Sequence, residues 1–265
     1  MPAPALDPAA TDRFIALAEA CADAAGDILS RHFRTAVAVD TKPDATPVTI
    51  ADRDAEAAMR ALIAEALPDH GILGEEMPPR NPGAEFTWVI DPIDGTKSFI
   101  TGKATFGTLV ALARDGRPLI GLINQPVQRE RWIGADGRAT VFNGAPARVR
   151  PCSGVADAIL YTTSPYLFPG GDEARFHRLR TRVRHALFGG DCYSYGLLAL
   201  GHADIVVESG LKPYDYAALV PVIEGAGGVI TDWDGQPLTL ASDGRVLAAG
   251  DAGLHRDALA ILQTG

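Results

Sequence analysis

The chain has 265 residues, 47% of them hydrophobic and 22% charged, with a net charge of −9 and a pI near 5.1. This suits one large globular domain or two closely packed halves, and the acidity argues against non-specific nucleic-acid binding. A phosphorylated substrate stays open, because bound metal ions reverse the local sign of charge.

No apolar stretch reaches membrane-spanning length. The opening Met1-Pro-Ala-Pro-Ala-Leu-Asp has neither the basic nor the apolar part of a secretory leader. Cys21, Cys152 and Cys192 are widely spaced, with no CxxC pattern, so neither a zinc site nor a disulfide framework is expected. The expected compartment is the cytoplasm.

Asp7 or Thr11 can cap a first helix running to about His32, with Phe14, Leu17, Ala18, Cys21, Ala25, Ile28 and Leu29 on one apolar face. Thr35 to Lys42 alternates like a strand, and Lys42-Pro-Asp-Ala-Thr-Pro47 is dense in turn signals. Thr49-Ile-Ala-Asp52 leads into a second helix with a stripe of Ala55, Met59, Leu62, Ile63 and Ala66, stopped by Pro68-Asp-His-Gly71. A short strand, Gly71–Gly74, ends in Glu75-Glu76, and a polar loop over Met77–Glu85 leads to an apolar run at Trp88–Ile90.

From Phe106 to Val149 a run of strands is expected. Gly107–Ala113 turns at Asp115-Gly116 into Leu119–Asn124, and Arg129–Ala135 turns at Asp136-Gly137. After Pro151, strand and helix alternate: strands at Ile159–Thr163, His185–Phe188, Ile205–Glu208 and Gly228–Thr231, and helices at Asp172–Arg182, Ser194–Gly201, Tyr214–Gly225 and Gly253–Leu262. The fold class is α+β, with mixed strand and helix segments stacked in layers. Two halves are expected, residues 1–150 and residues 151–265.

The chemistry gathers at element ends. Asp91 and Asp94 straddle Pro92 and precede Gly95, which fits a strand opening into a turn, where open sheets place ligand sites. Two such carboxylates repel unless a cation lies between them, and oxygen ligands favour Mg²⁺, Mn²⁺ or Ca²⁺ over zinc. Asp52, Glu75, Glu76, Glu208 and Asp215 also stand at element ends. Each alone reads as a helix cap or an exposed loop acid.

Three stretches together resemble the signatures of the inositol monophosphatase family, Mg²⁺-dependent, lithium-sensitive phosphomonoesterases. They are Gly74-Glu75-Glu76, Trp88-Val-Ile-Asp91-Pro92-Ile93-Asp94-Gly95-Thr96, and Tyr214-Asp215 with Glu224-Gly-Ala-Gly-Gly228. Tyr214 stands where the family usually has Trp. The resemblance implies a layered αβαβα sandwich of the sugar-phosphatase type, usually a homodimer, with two or three Mg²⁺ per site. It implies that Glu75, Asp91 and the carbonyl of Ile93 hold the first metal, and that Asp91, Asp94 and Asp215 hold the second. Thr96, paired with Asp52, would orient the attacking water, and the N–H groups of Gly95 and Thr96 would meet the phosphate. No covalent intermediate is implied.

Thr101–Leu112, Asn124-Gln125-Pro126, Glu130-Arg131 and Gly189-Gly190-Asp191-Cys192-Tyr193-Ser194-Tyr195-Gly196 resemble the histidinol-phosphatase branch more than the inositol branch. Histidinol phosphate carries an ammonium and an imidazole that is partly protonated near neutral pH, and a pocket carboxylate would bind that cation. Asp191 and Glu208 are the candidates, and Asp191 could equally cap the helix after it. The expected function is hydrolysis of L-histidinol phosphate in histidine biosynthesis. The alternatives are an inositol-1-monophosphatase or another small phosphate-ester phosphatase, a nucleotide-bisphosphate phosphatase, and a non-catalytic regulatory protein. A haloacid-dehalogenase-type enzyme needs Asp-x-Asp, whereas here the spacing is Asp-x-x-Asp.

Overall fold

The computed structural model of the chain describes residues 6–36, 38–41 and 47–264. The loop expected over Lys42–Pro47 lies, except for Pro47, outside the described residues.

Asp7 caps α1 (Pro8–His32): its carboxylate accepts the Ala10 N–H at 2.9 Å. Ala18, Cys21, Ala25 and Leu29 form the buried seam, flanked by half-buried Phe14, Leu17 and Ile28. Val37 and Lys42 of the strand expected over Thr35–Lys42 lie outside the described residues; among the described ones, only β1 (Val39–Thr41) pairs, antiparallel, with β2 (Pro47–Thr49). Next comes α2 (Ile50–Ala66), whose Ala55, Met59 and Ile63 are fully buried.

The first sheet follows chain order. Its strands are β3 (Gly71–Gly74), β4 (Phe86–Asp94), β5 (Gly107–Arg114), β6 (Arg117–Gln125), β7 (Glu130–Ala135), β8 (Arg138–Phe142) and β9 (Ala145–Pro146), with α3 (Thr96–Ile100) between β4 and β5. The β3–β4 pair is parallel and the others are antiparallel. Asp115 and Gly116 both take positive φ (49° and 80°), the tight turn that matches the twist of paired strands.

The second sheet holds β10 (Ile159–Thr162), β11 (His185–Phe188), β12 (Ile205–Glu208), β13 (Val229–Thr231) and β14 (Val246–Ala249), in the order β11-β10-β12-β14-β13. β11, β10 and β12 are parallel, and β14 runs antiparallel to both its neighbours. The remaining helices are α4 (Gly171–Arg180), α5 (Tyr193–Ala199), α6 (Pro213–Tyr216), α7 (Leu219–Gly225) and α8 (Ala252–Gln263).

Three apolar layers join these elements. Trp88, Ile90, Val110 and Leu112 on one face of the first sheet pack with α1 and α2. Val89, Leu109, Ala111 and Trp132 on its other face pack with α5–α7 and with Val206 and Ala248 of the second sheet. Ile205, Val207, Leu247 and Ala249 face α4 and α8. The alternation along each strand sends neighbouring side chains into different layers. The result is the expected αβαβα sandwich. Each sheet lies wholly on one side of Pro151, while the middle layer draws on both sides.

Two expectations need correction. The single helix over Tyr214–Gly225 is two, α6 and α7. Pro221 explains the break, since in a continuous helix its ring would meet the carbonyl of Ala217. β14 has no counterpart in the expected strands, although its four apolar residues lie between Asp243-Gly244 and Gly250-Asp251, an ordinary strand signal.

The break lets the chain settle on the first sheet. Gly121 of β6 and Gly134 of β7 are cross-strand partners. A Cβ at Gly121 would lie 1.9 Å from the Ala218 carbonyl oxygen, and one at Gly134 would lie 2.2 Å from that of Pro221. Only bare backbone admits this contact. Gly121→Ala and Gly134→Ala are each expected to cost about 1–3 kcal/mol of stability, read as a lower urea midpoint. An unchanged midpoint would mean that α7 does not seat on this pair.

Candidate active site

β4 carries a bulge at its end. Asp91 pairs with Leu109 and Asp94 with Gly107, so β4 has one more residue than β5 between those pairs. Pro92 lies in the bulge, and its carbonyl accepts the Thr108 hydroxyl at 2.9 Å. The extra residue redirects the chain, and Gly95 completes the turn at φ 84° before α3 begins. Asp91 is 1% exposed, and its Oδ1 accepts the Ile93 N–H at 2.9 Å. Asp94 is half-buried, and its Oδ2 accepts the Cys192 N–H at 2.6 Å. Asp215, in the only turn of α6, accepts the Lys212 N–H at 2.6 Å.

Carboxylate oxygens of Asp91, Asp94 and Asp215 all lie within 4.8 Å of one another. Burial raises the pKa of each. The charges of Glu75, Asp94, Asp215 and Asp52 push Asp91 further up, and those of Asp191 and Asp215 act on Asp94. Asp215 is pushed up to about 7. An all-oxygen cluster under this repulsion fits a hard divalent cation such as Mg²⁺.

Asp52 sits in the first turn of α2, fully buried. Its Oδ2 accepts the Thr49 N–H at 2.7 Å and the Thr49 hydroxyl at 2.6 Å, forming a capping box. Its Oδ1 is buried with no hydrogen-bond partner. The expected pairing of Thr96 with Asp52 is not formed. The Thr96 hydroxyl donates instead to the Ile93 carbonyl at 3.1 Å.

Asp191 does not cap α5. It takes a left-handed φ of 46°, and its Oδ2 accepts the Ser98 hydroxyl at 2.5 Å and the Thr105 hydroxyl at 3.4 Å. Glu208, at the end of β12, accepts the Thr163 N–H at 2.9 Å and the Tyr195 hydroxyl at 3.0 Å. Burial raises the pKa of both acids.

Glu75, Asp94, Gly95, Thr96, Asp191, Glu208 and Asp215 line one cavity of about 230 Å³. Asp91 clusters with Asp94 and Asp215 beside it. Lys97 is the one Lys or Arg in the lining among the described residues. Glu76 is not part of the lining; its N–H donates to buried Glu56 at 2.7 Å. Sequence reasoning missed Glu56, Ser98, Thr105 and Lys97. A signal existed for Glu56, one helical turn after Asp52, and for Lys97, next to Thr96.

Without a divalent cation, these carboxyls hold their protons to higher pH in the fold than in the open chain. The folded state then binds more protons between the ordinary carboxylate value of 3.8 and about 7, so stability falls as pH rises through that window. In EDTA the Tm is expected to drop between pH 5 and pH 7.5, and added Mg²⁺ is expected to raise it more at the higher pH. A flat profile in EDTA would contradict this description of the site.

A sequence profile of the inositol monophosphatase family matches residues 10–264. The chain is 51% identical over 261 residues to the bifunctional phosphatase IMPL2, chloroplastic, of Arabidopsis thaliana, covering 95% of this chain and 75% of that one. It is 36% identical over 257 residues to a histidinol-phosphatase of Mycobacterium tuberculosis, covering 94% and 97%. The solved structure of an inositol monophosphatase from Zymomonas mobilis superposes with a TM-score of 0.88 at 50% identity, covering 96% of this chain and 98% of that one.

Proposed function

The chain belongs to the inositol monophosphatase family and is a phosphatase, and we propose that its substrate is L-histidinol phosphate, split into L-histidinol and phosphate in histidine biosynthesis. One observation carries this reading. Beyond the acids grouped around Asp91, the cavity holds two more buried carboxylates, Asp191 and Glu208. Their hydroxyl and N–H partners offset that burial only in part, since both pKa values stay raised, and a neutral alcohol adds no charge to offset the rest. A cationic one favours their ionised forms through charge-assisted hydrogen bonds. The names of the histidinol-phosphatase relatives support the same choice.

Glu75, Asp91, the Ile93 carbonyl, Asp94 and Asp215 would hold Mg²⁺. When bound, the metal supplies charge neutralisation at the phosphoryl group and acidity to the attacking water. The buried, unpartnered Oδ1 of Asp52 accepts a proton from that water and orients it. The Thr96 hydroxyl bonds the Ile93 carbonyl, tying the start of α3 to the bulge. The main-chain N–H groups of Gly95 and Thr96 receive the phosphate. Asp191 and Glu208 hold the ammonium or imidazolium of the leaving alcohol.

Inositol 1-phosphate is the second reading, favoured by the likeness to the Zymomonas mobilis enzyme. The three cysteines are free, in keeping with a reducing compartment such as the cytoplasm. No described helix is long and apolar enough to cross a membrane. The reading includes a homodimer, which light scattering would register.

Phosphate release from the two esters, side by side, tests the substrate. Histidinol phosphate is expected to be turned over with the higher kcat/KM, and neither ester without Mg²⁺. Inositol 1-phosphate as the better substrate would sink the reading. Asp191→Ala is expected to cut kcat/KM for histidinol phosphate by about 10–100-fold, the worth of a hydrogen bond to a charged group, with a smaller loss on inositol 1-phosphate. Equal losses on both esters would remove Asp191 from the leaving-group site.

A further inference from the structure

Behind Glu75 lies a buried ion pair that forms no part of the cavity lining. Glu56, on α2, is 0% exposed. Its Oε1 accepts Nε of Arg60 at 2.7 Å and the Met77 N–H at 3.1 Å, and its Oε2 accepts the Glu76 N–H at 2.7 Å. Arg60, one turn further along α2, donates to the Met77 carbonyl at 2.9 Å and the Pro78 carbonyl at 3.0 Å. Glu56 also presses on the chain before Glu75, since a Cβ at Gly74 would lie 2.2 Å from its Oε1.

Next in the chain is Glu75. It follows the last residue of β3, the edge strand of its sheet, whose ladder with β4 ends at Gly74. The Ile72–Arg80 bridge closes the base of the loop. Beyond it, Glu56 and Arg60 hold four main-chain groups of residues 76–78. A buried ion pair is a poor source of stability, because desolvation offsets its attraction. Its geometry is what it supplies. Asp52 lies one turn before Glu56, so a single helix fixes Asp52 directly and the Glu75 loop through this clasp.

We propose that Glu56 and Arg60 are positioning residues that set Glu75 for divalent-metal binding, acting through the main chain of residues 76–78. The proposal rests on the assignment of Glu75 as a metal ligand under the function proposed above.

Mn²⁺ binding to the full chain, followed by the EPR signal of free Mn²⁺, tests it without turnover. Glu56→Gln removes one acceptor oxygen and is expected to weaken Mn²⁺ binding about tenfold, the usual cost of losing a group that orients a ligand. The Mg²⁺ concentration for half-maximal phosphate release should rise by a similar factor. Arg60→Lys keeps the charge and the helix but loses the two-pronged grip. It is expected to weaken binding in the same direction, and it carries the test should Glu56→Gln fail to fold. Wild-type Mn²⁺ affinity in these variants, with a clear loss in Glu75→Gln, would overturn the clasp and leave the metal assignment standing. Unchanged affinity in Glu75→Gln would overturn the metal assignment, and the clasp with it.

Discussion

Repulsion between carboxylates held away from water is the constraint to which the rest of the molecule answers. Asp52, Asp91, Asp94, Asp191, Glu208 and Asp215 all have raised pKa values, with burial the first cause in each. Side-chain packing alone would let such a group spread apart. Main-chain N–H donors hold it instead: Thr49 for Asp52, Ile93 for Asp91, Cys192 for Asp94, Thr163 for Glu208 and Lys212 for Asp215. These donors sit at turns and element ends, so the acids are as fixed as the backbone itself. The three apolar layers supply the free energy that keeps them together.

The layers also explain how acids far apart in sequence meet. Asp91 and Asp94 belong to the first sheet, while Asp215 follows the second sheet's β12 by only a few residues. What joins them is the landing of the α6–α7 chain on Gly121 and Gly134. A side chain at either glycine would lift that chain off the sheet and draw Asp215 away from its partners. The geometry of the acidic cluster therefore depends on two residues with no chemistry of their own.

Local signals were legible in the sequence, and tertiary ones were not. The seam of α1, the turn at Asp115-Gly116 and the break in β4 at Asp91-Pro92 all come from period, turn chemistry or a missing N–H. The resemblance to a known family then linked Asp52, Glu75 and Asp215 to that break. The split between α6 and α7 was written in Pro221, but the Ala218 carbonyl landing on Gly121 is a contact between segments 97 residues apart (218 − 121). Ser98 and Thr105 bond Asp191 across a similar separation. Glu56 stands one helical turn after Asp52, but on an amphipathic helix that spacing by itself does not distinguish a solvated Glu from a buried one.

The turn at Gly95 has a consequence for how this chain can change over evolutionary time. A Cβ at Gly95 would lie 2.6 Å from Cγ of Asp191, so the turn and the acid share one tightly bounded space. A longer side chain at position 191 would have to displace the turn that launches α3 and carries Thr96. A shorter one would not. Under the selectivity proposed for Asp191, drift at this position runs mainly one way. Cationic preference can be lost by shrinking a single side chain, whereas a lineage that has let residue 95 grow must restore its glycine before an acid can return.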